Sequence, residues 1–407
     1  MAAAPYVVIG GGQAGLQICD SLRRLGYAGP LLLLAAESSP PYQRPPLSKK
    51  FLAGELEAER LWFRPHAWYE KNDVDLRLDC TVTAIDRTAR RLSCADGHDV
   101  EYARLALTTG ARIRPLACPG ADAADICYVR SLADSEGLRE RLATATRVAV
   151  VGGGFIGLEV AAIARALNKS VVLYEGLDRL MARAVSPTIS AWYADLHRGR
   201  GVDLRLGCGI AAIEKTSAGL VVRDAQGGET AVDVVVAGIG VVPNEEIAAA
   251  AGLECRGGIV VDVHARTSDP DIVAAGDCTW HYNGFLEREI RLESVQNAVD
   301  QAKVAAASLL GTSEPYVQVP WFWSDQYDVK LQMAGIGMPH DQSVPRGTPE
   351  SGAFSLFYFR EGRLVGADSV NRPADHMACR RLLAQGTMVS AVDVANTEVD
   401  LMQLARG

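Results

Sequence analysis

The sequence predicts an α/β protein in which a strand, glycine turn, helix and strand unit occurs twice, ahead of an α+β C-terminal region. Three observations carry that expectation. One is YVVIGGGQAG over residues 6–15, with glycines at 10, 12 and 15. Another is VVGGGFIG over residues 150–157, which puts Gly152, Gly154 and Gly157 at the same spacing. The third is a change of character after Gly311, where Trp321 and Trp323 open a region of alternating strands.

In the first unit, Tyr6–Ile9 reads as a strand, about 13–25 as a helix and Leu31–Leu34 as a second strand, with Glu37 just beyond it. The second unit repeats the order: strand 147–151, helix about 155–167, strand 170–174, then Glu175. Each acid follows its glycines by about 20 residues. The glycines permit a tight turn and a close backbone approach to a pyrophosphate, which rests on the free N–H groups of the helix start. Each unit is therefore Rossmann-like, and two complete copies predict two bound dinucleotides. LALTTGARIRP (105–115) and VVVAGIGVVPN (234–244) each run a buried strand into a glycine turn, where the chain is expected to pass between nucleotide domains. TSDPDIVAAGDC (267–278) is a strand ending at Gly276 and Asp277, followed by a helix over about 294–310. Strands at 329–334, 353–359 and 364–370 and a short helix near 374–384 complete the C-terminal region.

At 407 residues the chain has room for two or three domains. A formal net charge of −8, with no long basic run, argues against a nucleic-acid partner. No apolar stretch approaches the roughly 20 residues of a membrane helix, so no membrane partner is expected. The first strand begins within about five residues of the N-terminus, leaving no room for a secretory signal, and a cytoplasmic protein is expected. Nine cysteines, at 19, 80, 94, 118, 127, 208, 255, 278 and 379, include no CxxC pair. Reduced, mostly buried thiols are expected, with no metal site and no iron–sulfur ligation.

RPPLSKKFLAG (44–54), GGGFIGLEVAA (152–162), RLESVQNA (291–298) and PWFWSDQY (320–327) add specificity. Together with the two glycine units, the chain resembles the NADH-dependent ferredoxin reductases of bacterial oxygenase systems, the putidaredoxin reductase and biphenyl dioxygenase reductase type. These belong to the FAD-dependent pyridine nucleotide-disulfide oxidoreductases related to glutathione reductase. The resemblance implies an FAD-binding domain from 1–112 and 244–318, an NADH-binding domain over 113–243, and an α+β domain over 319–407 packed beside the flavin.

Carried over by position, it implies non-covalent FAD held at Gly10, Gly12, Ala14 and Gly15, with further contacts from Arg44, Lys49, Val82 and Arg130. Asp277 would hold the ribityl chain and Val295 would lie near the flavin ring. Relatives often carry an acid where this chain has Ala36, so Glu37 would serve the adenosine ribose instead. For NADH as co-substrate, the cradle is Gly152, Gly154, Ile156 and Gly157, with Gly240 and Glu293 as further cofactor contacts. Arg183, and Arg179 before it, could grip a pyrophosphate. Glu175 ends its strand where a carboxylate can accept both ribose hydroxyls of NADH, and a 2′-phosphate there would meet a like charge.

NADH delivers two electrons together, whereas a [2Fe–2S] ferredoxin accepts one at a time, and a flavin handles both. The implied function is electron transfer from NADH through FAD to a ferredoxin that serves a terminal oxygenase. Lys49 and Glu159 form the implied catalytic pair, an ammonium that stabilises negative charge and a carboxylate that orients it. Trp321 reads as packing, whereas the resemblance puts Trp323 at the flavin edge and acceptor surface. Arg64, Arg288, Arg291 and Lys303 are candidates for a basic docking patch, of which Lys303 matches a family docking position. A thiol-based relative would need a cysteine shortly after the first unit, and residues 38–79 contain none. A rubredoxin reductase, or a non-catalytic NADH-responsive flavoprotein resembling apoptosis-inducing factor, remains an alternative.

Overall fold

Runs of four or five apolar residues, too short for helices, supply the central strands. In the computed structural model, which describes residues 4–122, 125–217, 219–336 and 338–406, the chain divides into two compact units. One comprises Met1–Gln43, Glu59–Arg112 and Val242–Pro320; the other comprises Arg44–Ala58, Ile113–Val241 and Trp321–Gly407.

The first unit is built on a parallel sheet in the order Ile272–Ala274, Arg104–Leu107, Tyr6–Ile9, Leu31–Leu34, Val74–Arg77. Both faces of the sheet are covered, so YVVI and LLLL read as unbroken apolar runs rather than alternating ones. Val8, Leu31 and Leu33 pack on the helices Gln13–Arg24 and Val295–Leu309. Ala298, Ala302, Ala305 and Ala306 are small enough to bring the second helix close. Val7, Ile9, Leu32 and Leu34 point the other way, onto an antiparallel meander of Val82–Asp86, Arg91–Cys94 and Asp99–Glu101.

The second unit repeats the parallel theme in the order Val202–Arg205, Ser170–Tyr174, Arg147–Val151, Val234–Ala237. An antiparallel five-stranded sheet follows, ordered Trp321–Gln326, Val329–Ala334, Arg363–Val370, Phe354–Arg360, Gln342–Arg346. One continuous apolar core joins Leu158, Val160 and Ala161 of the helix Phe155–Ala166 to Leu331, Met333, Phe354 and Leu356 of that sheet. Where the helix was expected from residue 294, Ser294 is instead its cap, its hydroxyl accepting from Asn297 N at 3.0 Å, and the helix starts at Val295. The helix expected over about 374–384 runs Pro373–Gln385, one residue longer at each end, and proline suits its first position.

Candidate functional site

The two glycine turns have the same construction. Gly10 and Gly152 sit at φ +114° and +106°, and a Cβ there would fall 2.2 Å from Thr108 O and 2.5 Å from Gly238 O respectively. A Cβ on Gly15 or Gly157 would lie 2.0 Å from the carbonyl oxygen of Gly10 or Gly152. Packing therefore demands glycine at the first and third positions. The middle positions differ. A Cβ on Gly12 would meet no atom within 4 Å, and one on Gly154 only Gly238 O at 3.9 Å. Both have ordinary backbone angles, φ −96° and −81°. The protein's own packing does not require glycine there; the missing side chain leaves room for something else to approach the backbone.

The helix starts support that fit. Leu132–Thr144, Pro187–Gly199 and Val295–Leu309 each begin on a serine whose side chain caps a backbone N–H. The helices that follow the glycine turns begin on Gly12 and Gly154, with no side-chain cap. Their first N–H groups are left for a ligand, and the positive helix end favours an anion. Residues of this kind fit the pyrophosphate of a dinucleotide at each turn. Ile156, on the first turn of the second helix, is 41% exposed, unusual for isoleucine in so apolar a helix, and offers apolar surface beside the cradle.

Glu175 closes over the second turn. Its carboxylate accepts from Gly153 N at 2.6 Å and from Leu177 N at 2.8 Å, which fixes a full negative charge beside the glycine backbone. Glu37 accepts instead from the Tyr42 hydroxyl. Ala14 is buried within the first helix. Thr108 pins the first turn by donating towards the carbonyls of Ile9 and Gly10, at 2.8 and 3.0 Å.

Lys49 and Glu159, 110 positions apart in the sequence, meet in the second unit. The ammonium lies 2.8 Å from Oε2, with side chains 15% and 2% exposed. Ser48 donates to the same oxygen at 2.5 Å and Ser324 to Oε1 at 2.6 Å. Burial pushes the Glu159 carboxyl up from its ordinary range, and the Lys49 charge and the two hydroxyls pull it back down. Ser48 and Ser324 sit inside PPLS and WFWSDQ, yet neither was singled out as a site residue. A lone acid among Leu158, Val160 and Ala161, all buried, was the available signal for Glu159.

The remaining candidates fall as follows. Arg44 donates to the Arg130 carbonyl at 2.6 Å. Val82 is buried opposite Cys94 in the meander, and Asp277 and Val295 are half-buried. Gly240 holds φ +104° with Arg183 Nη2 3.8 Å from its would-be Cβ, while Arg179 donates to the carbonyls of Val185 and Ala182 at 2.8 and 2.5 Å. Glu293 pairs with Arg291 at 2.7 Å and Lys303 with Asp300 at 2.9 Å. Arg64 lies over the Trp68 ring. Trp323 is half-buried, its ring 5.7 Å from that of Trp321, which in turn carries the Arg380 guanidinium at 4.2 Å.

Residues 4–302 match the pyridine nucleotide-disulphide oxidoreductase family and residues 321–405 the reductase C-terminal family. The chain belongs to the pyridine nucleotide-disulphide oxidoreductase family. It is 44% identical over 398 residues to rhodocoxin reductase of Rhodococcus erythropolis, covering 97% of this chain and 93% of that one. The ferredoxin reductase for the CYP199A2 system from Rhodopseudomonas palustris superposes with a TM-score of 0.96 at 42% identity, over 99% of this chain and 100% of that chain. Putidaredoxin reductase, in a covalent complex with putidaredoxin, superposes at 0.95 and 37% identity, over 100% and 99%.

A thiol-based member of this family would present a cysteine soon after the first glycine unit, and residues 38–79 hold none. The nine cysteines are free thiols. Burial pushes Cys19 up to about 12, and Cys94 and Cys255 up to about 11, which suppresses the reactive thiolate. Cys80 and Cys94 approach to 3.5 Å between sulfurs, but in the meander. Alkylating the accessible thiols, or replacing Cys80 and Cys94 together by serine, should leave NADH-to-acceptor activity within about twofold of the unmodified protein. Loss of activity in proportion to one modified thiol, prevented by NADH, would instead assign that thiol to electron transfer.

Proposed function

We propose that this chain is an NADH-dependent reductase with non-covalent FAD that passes electrons singly to a [2Fe–2S] ferredoxin serving a terminal oxygenase. The observation that carries the reading is the pair of open glycine cradles in one chain, each with an uncapped helix start and a room-making middle glycine. The ferredoxin reductases among its relatives support the choice of acceptor. When bound, the flavin supplies both two-electron exchange with a nicotinamide and one-electron exchange with an iron–sulfur centre.

The proposed division of labour follows the sequence. Residues 1–112 and 244–318 bind FAD through Gly10, Gly12, Ala14 and Gly15. Residues 113–243 bind NADH through Gly152, Gly154 and Gly157, with Glu175 selecting the unphosphorylated ribose. Lys49 and Glu159 serve the hydride step, and Trp323 and Lys303 serve the acceptor. Lys303 brings less charge than its type suggests, because Asp300 neutralises it across an exposed pair. No described helix is long and apolar enough to cross a membrane; the proposed setting of these reactions is the cytoplasm.

Two alanine substitutions separate the cradles. Gly12→Ala meets no protein atom, so the fold should survive while FAD content after purification falls at least about tenfold. Gly154→Ala should leave FAD in place and raise the Kd for NADH by a similar factor. Equal loss of both nucleotides from either variant, with melting temperature unchanged, would refute the assignment of one dinucleotide to each turn.

A further inference from the structure

Glu159 ends a chain of hydrogen bonds whose direction is set by the chemistry of its members. A carboxylate flanked by Lys49 can only accept, so Ser324 directs its single proton at Glu159 Oε1, 2.6 Å away. The Ser324 oxygen is then free to accept, and Gln326 Nε2 donates to it at 3.2 Å. That orientation turns Gln326 Oε1 towards His197 Nε2, 2.9 Å away. An amide oxygen cannot donate, so His197 carries its proton on Nε2. Its Nδ1 is left as an acceptor, and the Tyr327 hydroxyl lies 3.2 Å from it. Every donor from Tyr327 to Ser324 points towards Glu159.

The chain is built at some cost. Ser324, Gln326 and His197 are each 0% exposed, and neutral polar groups so deep cost free energy unless each is hydrogen-bonded. Tyr327 occupies the two-residue turn between Trp321–Gln326 and Val329–Ala334 at φ +56°, the left-handed conformation that tight hairpin turns take. Its ring is held there by Arg200 at 5.1 Å and by the His197 ring at 5.1 Å.

We propose that His197 is a positioning residue: through Gln326 and Ser324 it keeps the Ser324 hydroxyl aimed at Glu159 and so holds that carboxylate ionised and fixed against Lys49. The proposal rests on the reading of Lys49 and Glu159 as the pair that serves hydride transfer. Burial lowers the His197 pKa, which favours the neutral ring, and pushes Tyr327 up to about 12. Among the described residues, Lys49 and Tyr193 face Glu159, with Asp325 and Asp368 also acting on Tyr193, and Arg165 and Arg200 face Tyr327, Arg200 pairing with Asp328.

The test is a pH titration of the oxidised holoenzyme by infrared difference spectroscopy, with Glu159→Gln identifying the Glu159 carboxyl band. In His197→Phe, which keeps a ring but has no N–H, the midpoint for that band should rise by about one pH unit, a tenfold gain in proton affinity. Ser324→Ala, a smaller change that removes the last donor, should shift it in the same direction. His197→Gln, which can still donate to Gln326, should restore most of the wild-type midpoint. If the band shifts as expected but NADH-driven turnover is unchanged, the positioning role stands and the hydride-step reading of the pair falls. An unmoved midpoint in both His197→Phe and Ser324→Ala overturns the proposal, whatever happens to turnover.

Discussion

Replacing Lys49 with methionine should destabilise the protein by about 3 to 5 kcal/mol at pH 8, and by far less near pH 5. The substitution leaves the apolar stem and removes the one cation, among the described residues, that pairs with Glu159, a carboxylate that is 2% exposed. Two serine hydroxyls at 2.5 and 2.6 Å remain, and neither brings charge. Burial already raises the Glu159 carboxyl from its ordinary value of 4.5, and losing the ammonium raises it further. The unfolded chain then releases its proton at lower pH than the folded one, so stability falls as pH rises. The fall begins near the unfolded value and continues at up to about 1.4 kcal/mol per pH unit until the folded carboxyl ionises. Below that window both states are protonated and the penalty vanishes. Urea denaturation at pH 5 and pH 8 measures the difference, and the double variant Lys49→Met, Glu159→Gln should recover most of the loss. A loss independent of pH would mean that Glu159 is not the group left uncompensated.

The second large effect is cofactor choice. With Glu175 in place, NADH should be preferred over NADPH by roughly 30- to 1000-fold in kcat/KM, corresponding to about 2 to 4 kcal/mol of charge repulsion and lost ribose hydrogen bonds. Glu175→Ala should raise KM for NADH, shrink the preference to within about tenfold and leave FAD content alone. The same carboxylate also accepts from Gly153 N and Leu177 N, so alanine loosens the turn as well as removing charge. Glu175→Gln separates the two: it keeps an acceptor oxygen for one amide and discards the charge. If the preference survives in the glutamine variant, it comes from the shape of the turn and not from repulsion.

How much of this was legible in the sequence depended on whether a signal was local. Tyr6–Ile9, Leu31–Leu34, Arg147–Val151 and Ser170–Tyr174 lie where their apolar runs placed them, because a parallel strand buried on both faces leaves an unbroken signature. Of the meander of residues 82–101, only the strand around Val82 was legible, through the resemblance. Its strands are three to five residues long, mostly exposed along Val82–Asp86, and shifted in register between Val82 and Ala84, so no alternation long enough to read survives. The glycine turns announced themselves by spacing, but which glycines serve the fold and which make room for a ligand needed coordinates. Lys49 and Glu159 came from resemblance alone. The chain beyond them, from Ser324 to His197, joins residues more than 120 positions apart, and nothing local in sequence marks His197 as anything but one more residue on an amphipathic helix.

The central claim is that electrons from NADH leave this protein singly, to an iron–sulfur acceptor. The most direct measurement mixes the purified, FAD-loaded protein with NADH and an excess of [2Fe–2S] ferredoxin under anaerobic conditions, counting NADH consumed against ferredoxin reduced. The prediction is catalytic turnover with about two ferredoxins reduced per NADH, at a rate that falls as salt screens the docking charges. NADH consumption without ferredoxin reduction across a panel of such ferredoxins, or turnover confined to rubredoxin or a disulfide substrate, would contradict it.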